Sequence, residues 1–399
     1  EVLFHEKPFA GLNGSGKHNN WSLITNTGVN LFQPSNSARE NLLFLVFLVN
    51  TIKAVAENGE LLRASIASAS NDHRLGANEA PPAIMSVFIG SQLTAVLDEL
   101  EEKGNIKIDK GDNMYMKLGI DKIPQIILDN TDRNRTSPFA FTGNKFEFRA
   151  VGSDQNVAQP MSILNLIMAE QLNEFHKEVK SQMGKGTDKK IAIVNILRQY
   201  IKDSKKVRFE GDGYSAEWEK EAEKRGLANV KNTPRALEAF VTEKSKKLFA
   251  KHNVMTPEEL EARNEIYLEN YIMKIQIESR LMGDIALNQI IPTAVKYQNT
   301  LAQNAKNLSA LKLDNSEILK NIELISGYTK DLRSLVHEMI EKRKEFNEIE
   351  DTKERAYKYC DEVKEAYFDK IRYAADKLEL YVDDELWPLP KYRELLFLR

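Results

Sequence analysis

Residues 145–149 read Lys-Phe-Glu-Phe-Arg, and this stretch decides the fold class of the region around it. Successive side chains of a β-strand point to opposite faces, so the two phenylalanines turn into a core, and Lys145, Glu147 and Arg149 share the other face. A carboxylate held between two cations stays ionised and can bind a metal, whereas the cations can receive phosphate or carboxylate oxygens. The alternative is an exposed strand face with structural ion pairs.

A second polar segment lies upstream, where residues 11–22 read Gly-Leu-Asn-Gly-Ser-Gly-Lys-His-Asn-Asn-Trp-Ser. The spacing resembles a phosphate-binding P-loop, but His18 stands where that loop needs Ser or Thr, and a poor helix start follows. We therefore predict a glycine turn that leads into a strand. Alternation puts His18, Asn20 and Ser22 on one face, where they can hold a metal and a nucleotide. The alternative is a polar turn with a hydrogen-bonded histidine.

Two further segments carry charged residues in a loop-like context. Residues 71–82 read Asn-Asp-His-Arg-Leu-Gly-Ala-Asn-Glu-Ala-Pro-Pro, and residues 129–138 read Asp-Asn-Thr-Asp-Arg-Asn-Arg-Thr-Ser-Pro. Glycine and paired prolines in the first predict an ordered but hinged loop that carries an acid and a base. A solvated loop is the alternative for that segment taken alone.

Composition excludes several classes of protein. The 399 residues contain 56 Lys+Arg against 59 Asp+Glu, which gives no electrostatic reason to expect nucleic acid or an anionic membrane surface as a partner. A single cysteine, Cys360, excludes an intramolecular disulfide and a cysteine-based zinc site, and it is compatible with a reducing compartment. The longest apolar run, residues 42–49, is too short to span a membrane and predicts a buried core helix. We expect a cytoplasmic protein without a signal peptide.

The chain after residue 155 is dominated by helix patterns. Thr256-Pro257-Glu258-Glu259 is a capping box that starts a long helix, and Pro292 predicts a kink or break. Apolar residues then recur at steps of three and four in two later helices, which predicts lengthwise packing in an antiparallel bundle. The first seam is Ile318, Ile322, Ile325, Leu332, Val336 and Met339; the second is Ala356, Cys360, Val363, Tyr367, Ile371, Ala374 and Leu378.

These four polar segments, taken in their order along the chain, resemble the glutamine synthetase family and specifically its large type III form. The family's asparagine-glycine-serine-glycine turn and metal-binding histidine correspond to Asn13–Gly16 and His18, with Lys7-Pro8 shortly before. The family's flap corresponds to Arg74 and Glu79-Ala80-Pro81. Its N-R-[ST] segment corresponds to Asn134-Arg135-Thr136, and its [RK]-x-E-x-R strand corresponds to Lys145, Glu147 and Arg149.

The resemblance implies ATP-dependent amidation of glutamate by ammonia through a γ-glutamyl phosphate. It implies that the metal, Mg²⁺ or Mn²⁺, is held by His18 and Glu147. It implies ATP contacts from Arg135, Lys145, Asn20 and Ser22. It implies that glutamate is held by Asn13, Gly14, Arg74 and Arg149. Glu79 is then the flap acid that accepts a proton, and Arg135 is catalytic by neutralising the transferring phosphoryl group.

The resemblance also departs from the family pattern at named positions. Asn20 stands where relatives of the shorter form carry a second histidine, and Arg74 and Glu79 are one residue closer together than in those relatives. A second arginine expected soon after Arg135 is absent from residues 137–140. The family's other metal-binding glutamates and the domain that completes a neighbour's site are expected upstream of this chain. We therefore expect the chain to be inactive by itself.

The resemblance predicts an α+β fold. A curved antiparallel sheet over residues 1–153 is backed by helices at about 38–57 and 160–183. Residues 1–280 would be the C-terminal part of the catalytic domain, and residues 281–399 a helical extension. The family's large ring assemblies imply a homo-oligomer. Two alternatives stay open: a non-catalytic assembly or regulatory protein, and a related carboxylate–amine ligase that acts on another amine.

Overall fold

The computed structural model describes residues 16–35, 37–75, 83–102, 136–391 and 394, with only the backbone given for Ala38 and Arg74. The chain divides into two compact units, Glu1–Asn264 and Glu265–Arg399, called here the first and second units. The predicted division at residue 280 concerns homologous regions rather than compact units, and it stays a prediction.

A small sheet lies in the first unit. Its described strands are β1 (Gly16–Trp21), β2 (Val87–Phe88), β3 (Phe139–Phe141) and β4 (Phe146–Gly152). The strand order is β1-β4-β3-β2. β4 runs antiparallel to both neighbours, but β2 and β3 are parallel. The sheet is therefore mixed, and the prediction of a purely antiparallel sheet is wrong at β2. The reason is the long connection from β2 to β3, since a parallel neighbour needs a crossover of about a dozen residues or more.

The pairing of β1 with β4 is irregular at His18, one of the predicted site residues. Asn19 pairs with Phe148, and Lys17 pairs with Val151, so two residues of β4 face the single residue His18. This is the arrangement of a β-bulge on β4. A bulge re-aims the side chains next to it, so simple alternation along β4 ends there.

Aromatic side chains form the core beneath this sheet. The rings of Phe139 and Phe146 are stacked, with centroids 4.6 Å apart and planes 8° apart. Trp21 lies 6.4 Å from Phe146, and its indole N–H donates to Asn165 Oδ1 at 2.9 Å. Phe146 and Phe148 are fully buried. The prediction that these phenylalanines anchor the strand in a core is confirmed.

The helices of the first unit surround the sheet. Their bounds are as follows: α1 Ala38–Ser65, α2 Ala69–Arg74, α3 Ser91–Glu102, α4 Ala158–Gly184, α5 Lys189–Asp203, α6 Ala216–Lys224, α7 Thr233–Leu237 and α8 Glu243–Lys251. The predicted helices at 38–57 and 160–183 are present and longer than predicted. α1 and α4 pack against each other.

Helix α1 contains the apolar run at residues 42–49. By length and composition Arg39–Ser65 could cross a membrane, but 61% of its most apolar window is buried inside the protein. That burial is typical of a core helix, which the run predicted. The buried residues of the run are Leu42, Phe44, Leu45, Leu48 and Val49.

The second unit is helical where it is described. Helix α9 (Pro257–Ile285) enters it and is followed by a π-helical turn (Ala286–Ile290) and α10 (Ile291–Ala310). The remaining elements are α11 (Ser316–Asn347), α12 (Thr352–Tyr359), a π-helical segment (Cys360–Phe368) and α13 (Asp369–Tyr381). The π-turn lies just before Pro292, whose missing N–H interrupts the regular hydrogen-bond ladder. The helix thus continues past Pro292 after a π-helical turn, and no break is present there.

Both predicted seams are largely buried. In α11 the four residues from Ile325 to Met339 of the first seam are buried, and Thr329 joins them at 8% exposure. In the second seam Phe368 is buried and Tyr367 only half-buried, because the wider π-helical turn moves the buried face by one residue. The complete antiparallel bundle stays a prediction.

The buried cysteine of the second unit gives a testable expectation. Burial raises the pKa of the Cys360 thiol to about 12. A group whose pKa is raised by folding stabilises the folded state below its ordinary value of about 8.5, and this contribution is lost as pH rises through the folded value. At pH 8 we expect an aromatic disulfide reagent to react with native Cys360 about 1,000-fold more slowly than with the urea-unfolded chain. Rates within about tenfold of each other would contradict this burial.

Candidate functional site

His18 and Glu147 come together at the β1–β4 edge. His18 Nδ1 lies 2.8 Å from Glu147 Oε1, and the two side chains are 45% and 12% exposed. Asn20 is directly opposite Glu147 in the ladder, so His18 is the diagonal neighbour of Glu147 across the strand pair. Neighbouring ligand atoms on one octahedral Mg²⁺ or Mn²⁺ lie about 3 Å apart. In the structure the two atoms lie at hydrogen-bonding distance, as the alternative of a hydrogen-bonded histidine predicts. The same separation also fits adjacent positions on one divalent cation.

The alternation predicted for β1 is confirmed. Asn19 and Trp21 are buried at 6% and 3% exposure, whereas His18 and Asn20 are exposed. Glycine and lysine precede the histidine, and Lys17 Nζ donates to the main-chain oxygen of Gln155 at 2.6 Å. This contact ties β1 to the turn after β4 next to the bulge. No pattern in the sequence predicted this structural role of Lys17, since the spacing around it resembles that of a phosphate-binding loop.

Ser22 lies at the end of β1 against the turn between β3 and β4. Its hydroxyl lies 2.9 Å from Asn30 Oδ1 and 3.3 Å from the main-chain oxygen of Asn144. Asn30 Nδ2 also donates to that Asn144 oxygen, at 2.9 Å. The hydroxyl therefore helps to fix the turn that precedes Lys145, which is half-buried. Contacts of Ser22, Asn20 and Lys145 with a nucleotide stay predictions.

Arg149 has a different environment from its neighbours on the strand. It is only 3% exposed, and its Nη2 donates to the main-chain oxygen of Ser137 at 2.6 Å. Its backbone N–H donates to Pro138 O at 2.8 Å. The bulge at this point of β4 explains why alternation did not predict the burial. A contact of Arg149 with glutamate stays a prediction.

Several predicted site residues lie outside the part of the chain that the structure describes. They are Asn13, Gly14, Glu79 and Arg135, together with the side chain of Arg74. The backbone of Arg74 ends helix α2, directly before the proposed flap.

Helix α2 is anchored on both sides, which sequence reasoning missed. Asn71 is fully buried, and its Nδ2 donates to the main-chain oxygens of Ile66 and Ala150 at 2.8 and 2.9 Å. Ala150 belongs to the bulge opposite His18. The structure therefore connects the helix that leads to residue 74 with the strand that carries Glu147. The only signal in the sequence was a polar pair, Asn71-Asp72, at the start of the loop segment.

Asp72 forms the second anchor of α2. Its Oδ1 lies 3.2 Å from Arg63 Nη2, with side chains 4% and 2% exposed respectively. Thr233 adds two hydrogen bonds, from its backbone N–H at 2.9 Å and from its hydroxyl at 2.8 Å. Burial lowers the pKa of Arg63, and the neighbouring Asp72 opposes that shift by favouring the charged form.

A cluster of potential metal ligands lies apart from this site, in the second unit. Among the described residues, Cys360, Asp361 and Glu365 bring three ligand atoms within 4.8 Å of one another. Metal binding by cysteine requires the thiolate. Burial raises the pKa of this thiol to about 12, which disfavours the thiolate in the metal-free chain.

Residues 192–309 match the family described as the glutamine synthetase C-terminal domain. The chain is 50% identical over 406 residues to a glutamine synthetase of Bacteroides fragilis (strain YCH46), covering 99% of this chain and 55% of that protein. It is 40% identical over 410 residues to the type-3 glutamine synthetase of Dictyostelium discoideum, covering 100% of this chain and 54% of that protein. The chain is 38% identical over 406 residues to a glutamine synthetase of Butyrivibrio fibrisolvens, covering 99% of this chain and 56% of that protein. The chain thus spans about half the length of the curated relatives that it matches.

Proposed function

We propose, on the premise that this chain is a homologue of the type III glutamine synthetases, that it forms part of an ATP-dependent glutamate–ammonia ligase. The observation that carries the proposal is the 2.8 Å contact between His18 Nδ1 and Glu147 Oε1. Two residues 129 positions apart meet at the place where the family resemblance requires a shared cation. A structural hydrogen bond would bring the same two atoms together, so the metal role rests on this distance together with the family resemblance of both residues.

One of the two donors is typical of a hard divalent cation. Carboxylate oxygen is a ligand that Mg²⁺ and Mn²⁺ prefer, whereas imidazole nitrogen is a softer donor, so the assignment of Mg²⁺ or Mn²⁺ rests on the family resemblance. His18 and Glu147 would hold the cation, which when bound supplies positive charge for the phosphate oxygens of ATP. The proposed γ-glutamyl phosphate would form when the γ-carboxylate of glutamate attacks the terminal phosphorus of ATP and ADP leaves. Ammonia would then attack the γ-carbonyl carbon and expel inorganic phosphate, which gives glutamine. The task of the protein is to position the reactants and to neutralise charge.

The other residues of β4 have consistent proposed roles. Lys145, half-buried at the start of the strand, would neutralise phosphate oxygens together with Arg135. Arg149 is held in place by the Ser137 carbonyl, so its guanidinium is a preorganised cation for a carboxylate of glutamate. Asn13, Gly14 and Arg74 would complete that subsite. Glu79 would accept the proton released when ammonia adds.

The remaining proposals concern the whole protein. We propose that it acts in glutamine biosynthesis in the cytoplasm, as a homo-oligomer with ring-like assembly. The chain by itself is proposed to be inactive, since only two of the expected metal ligands fall within it. Two ligands alone bind such a cation weakly.

The function is tested by measuring ATP-dependent glutamine formation. We expect no turnover from the purified chain alone, and turnover when it is joined to the upstream segment of the full-length protein. In that longer protein, His18→Ala is expected to lower kcat/KM at least about 100-fold, because a direct metal ligand is lost. The control is His176→Ala, which removes an exposed histidine on α4.

The outcomes separate the alternatives. Turnover by the chain alone near that of the longer protein would contradict the proposed incompleteness. A longer protein that consumes ATP only with another amine would favour the related carboxylate–amine ligase. Equal activity of the two histidine variants would remove the metal role of His18.

A further inference from the structure

The first unit holds a cavity of about 230 Å³ beside a break in helix α1. At Asn58 the backbone leaves helical geometry, with φ −126° and ψ 25°. The next residue, Gly59, faces the wall on the other side: a Cβ added there would stand 3.2 Å from the Cβ of Met85. Glycine therefore permits the close approach of α1 to the residues just before β2. The cavity is distinct from the His18–Glu147 site and shares no residue with it.

The apolar part of the cavity's inner wall lies beside polar and charged lining residues such as Asn58, Arg63 and Ser245. It is formed by buried or half-buried side chains: Val55, Leu61, Met85, Val207 and Leu227. Two exposed cations, Lys206 and Lys244, lie among the lining residues. An apolar interior with charge at the rim is the arrangement that receives an amphipathic small molecule.

The charges around the cavity favour an anion. Glu57 is paired with Lys53 at 2.6 Å, so its carboxylate is already neutralised. Lys244 Nζ donates only to the main-chain oxygen of Glu57, at 2.5 Å. Within the described residues neither Lys206 nor Lys244 has a carboxylate partner, and Glu60 is the one unpaired acid in the lining. Two lysines without a carboxylate partner and one acid without a cationic partner leave a net charge of one that a ligand anion can neutralise.

A buried arginine in the wall supports the same chemistry. Arg63 lines the cavity and is only 2% exposed. Its Nε and Nη2 are used by Val230 O and by Asp72, but within the described part of the chain Nη1 has no hydrogen-bond partner. A buried donor without a partner is costly, and its positive charge makes the cavity more favourable for an anion.

We propose that this cavity is a binding site for a small amphipathic molecule with one anionic group, of the class of medium-chain carboxylates. Its volume is below the range of about 300–1,000 Å³ typical of drug-sized ligands, which limits the ligand to a short apolar body. The carboxylate lies toward Lys206 and Lys244, and the apolar body packs against the inner wall.

The wall of the cavity also includes residues close in sequence to residues 76–82, which lie outside the described part of the chain. Ala83 and Met85 in the wall follow that segment directly, and Arg63 holds Asp72 of α2, which precedes it. A ligand in the cavity would therefore contact the supports of the flap, a consequence that rests on the proposed function. The binding itself does not rest on it.

The test is a calorimetric titration of the purified chain with octanoate and, separately, with neutral 1-octanol. We expect saturable binding of one octanoate per chain, at least about tenfold tighter than that of octanol. The double variant Lys206→Met/Lys244→Met is expected to remove this preference. Ala56→Leu, which extends a side chain of the lining into the cavity, is expected to abolish binding of both probes.

The controls keep the result interpretable. Unchanged urea midpoints of both variants show that they fold, and His18→Ala is expected to bind octanoate like the unmodified chain. No saturable binding of octanoate, or equal binding of both probes by the unmodified chain and the lysine variant, would overturn the proposal. Retained octanoate binding in Ala56→Leu would place it elsewhere and overturn the proposal as well.

Discussion

Replacing Glu147 with alanine is expected to abolish measurable Mn²⁺ binding by this chain. His18 and Glu147 bring two potential ligand atoms within 2.8 Å of each other, and for the proposed site we expect a dissociation constant on the order of 10⁻⁴–10⁻³ M. Loss of an outer hydrogen-bond partner of a metal ligand already costs about 10–100-fold in affinity. Removing a direct carboxylate ligand is expected to cost at least about 100-fold.

The measurement is electron paramagnetic resonance of free Mn²⁺ during a titration of the chain. Glu147→Gln keeps the size of the side chain but removes its charge. It is therefore expected to lose measurable Mn²⁺ binding, as Glu147→Ala does. Glu223→Ala, which removes an exposed carboxylate on α6, serves as the matched control and should bind like the unmodified chain. If Glu147→Gln retained full affinity, the carboxylate would not be a ligand.

Replacing Asp72 with alanine is expected to destabilise the first unit by about 3–5 kcal/mol. Asp72 and Arg63 are both almost fully buried, so the substitution leaves the arginine without its counter-charge in a poorly solvated position. It also removes the acceptor for both hydrogen bonds from Thr233. At a total stability of about 5–15 kcal/mol, such a loss brings the unit close to unfolding at room temperature.

Urea denaturation followed by far-ultraviolet circular dichroism measures this loss as a shift of the midpoint at constant slope. The matched control is Glu219→Ala, which breaks the exposed ion pair with Lys231 and is expected to change stability by less than about 1 kcal/mol. Asp72→Asn keeps a hydrogen-bond acceptor for Thr233, so its urea midpoint is expected to lie between those of Asp72→Ala and Glu219→Ala. Equal midpoints for Asp72→Ala and the control would show that the pair does not hold α2 in place.

Local patterns in the sequence correctly predicted which faces of the strands around His18 are buried. Alternation along residues 17–22 and 145–148 depends only on backbone geometry, so it located the buried aromatic face and the exposed face of His18 and Asn20. The family resemblance then paired His18 with Glu147, whose atoms meet in the structure. Helix seams in the second unit were equally predictable because their period is set by the helix itself.

Alternation failed at Arg149. A bulge depends on how two strands far apart in sequence align, and no local pattern in β4 announces it. The parallel direction of β2 escaped prediction for a similar reason, since it follows from the path of a long connection. The wider π-helical turn that buries Phe368 in place of Tyr367 also departs from the regular helix that the spacing assumed.

The sequence by itself determined the family likeness, the core faces of the strands and helices, and the identity of the two residues that meet at the proposed metal position. Only the tertiary structure decided that Asn71 and Asp72 fasten α2 to β4 and α1, and that a cavity opens beside the break at Asn58. The physical reason is that buried ion pairs, bulges and cavities arise from contacts between distant segments. Periodicity, in contrast, is a property of one segment alone.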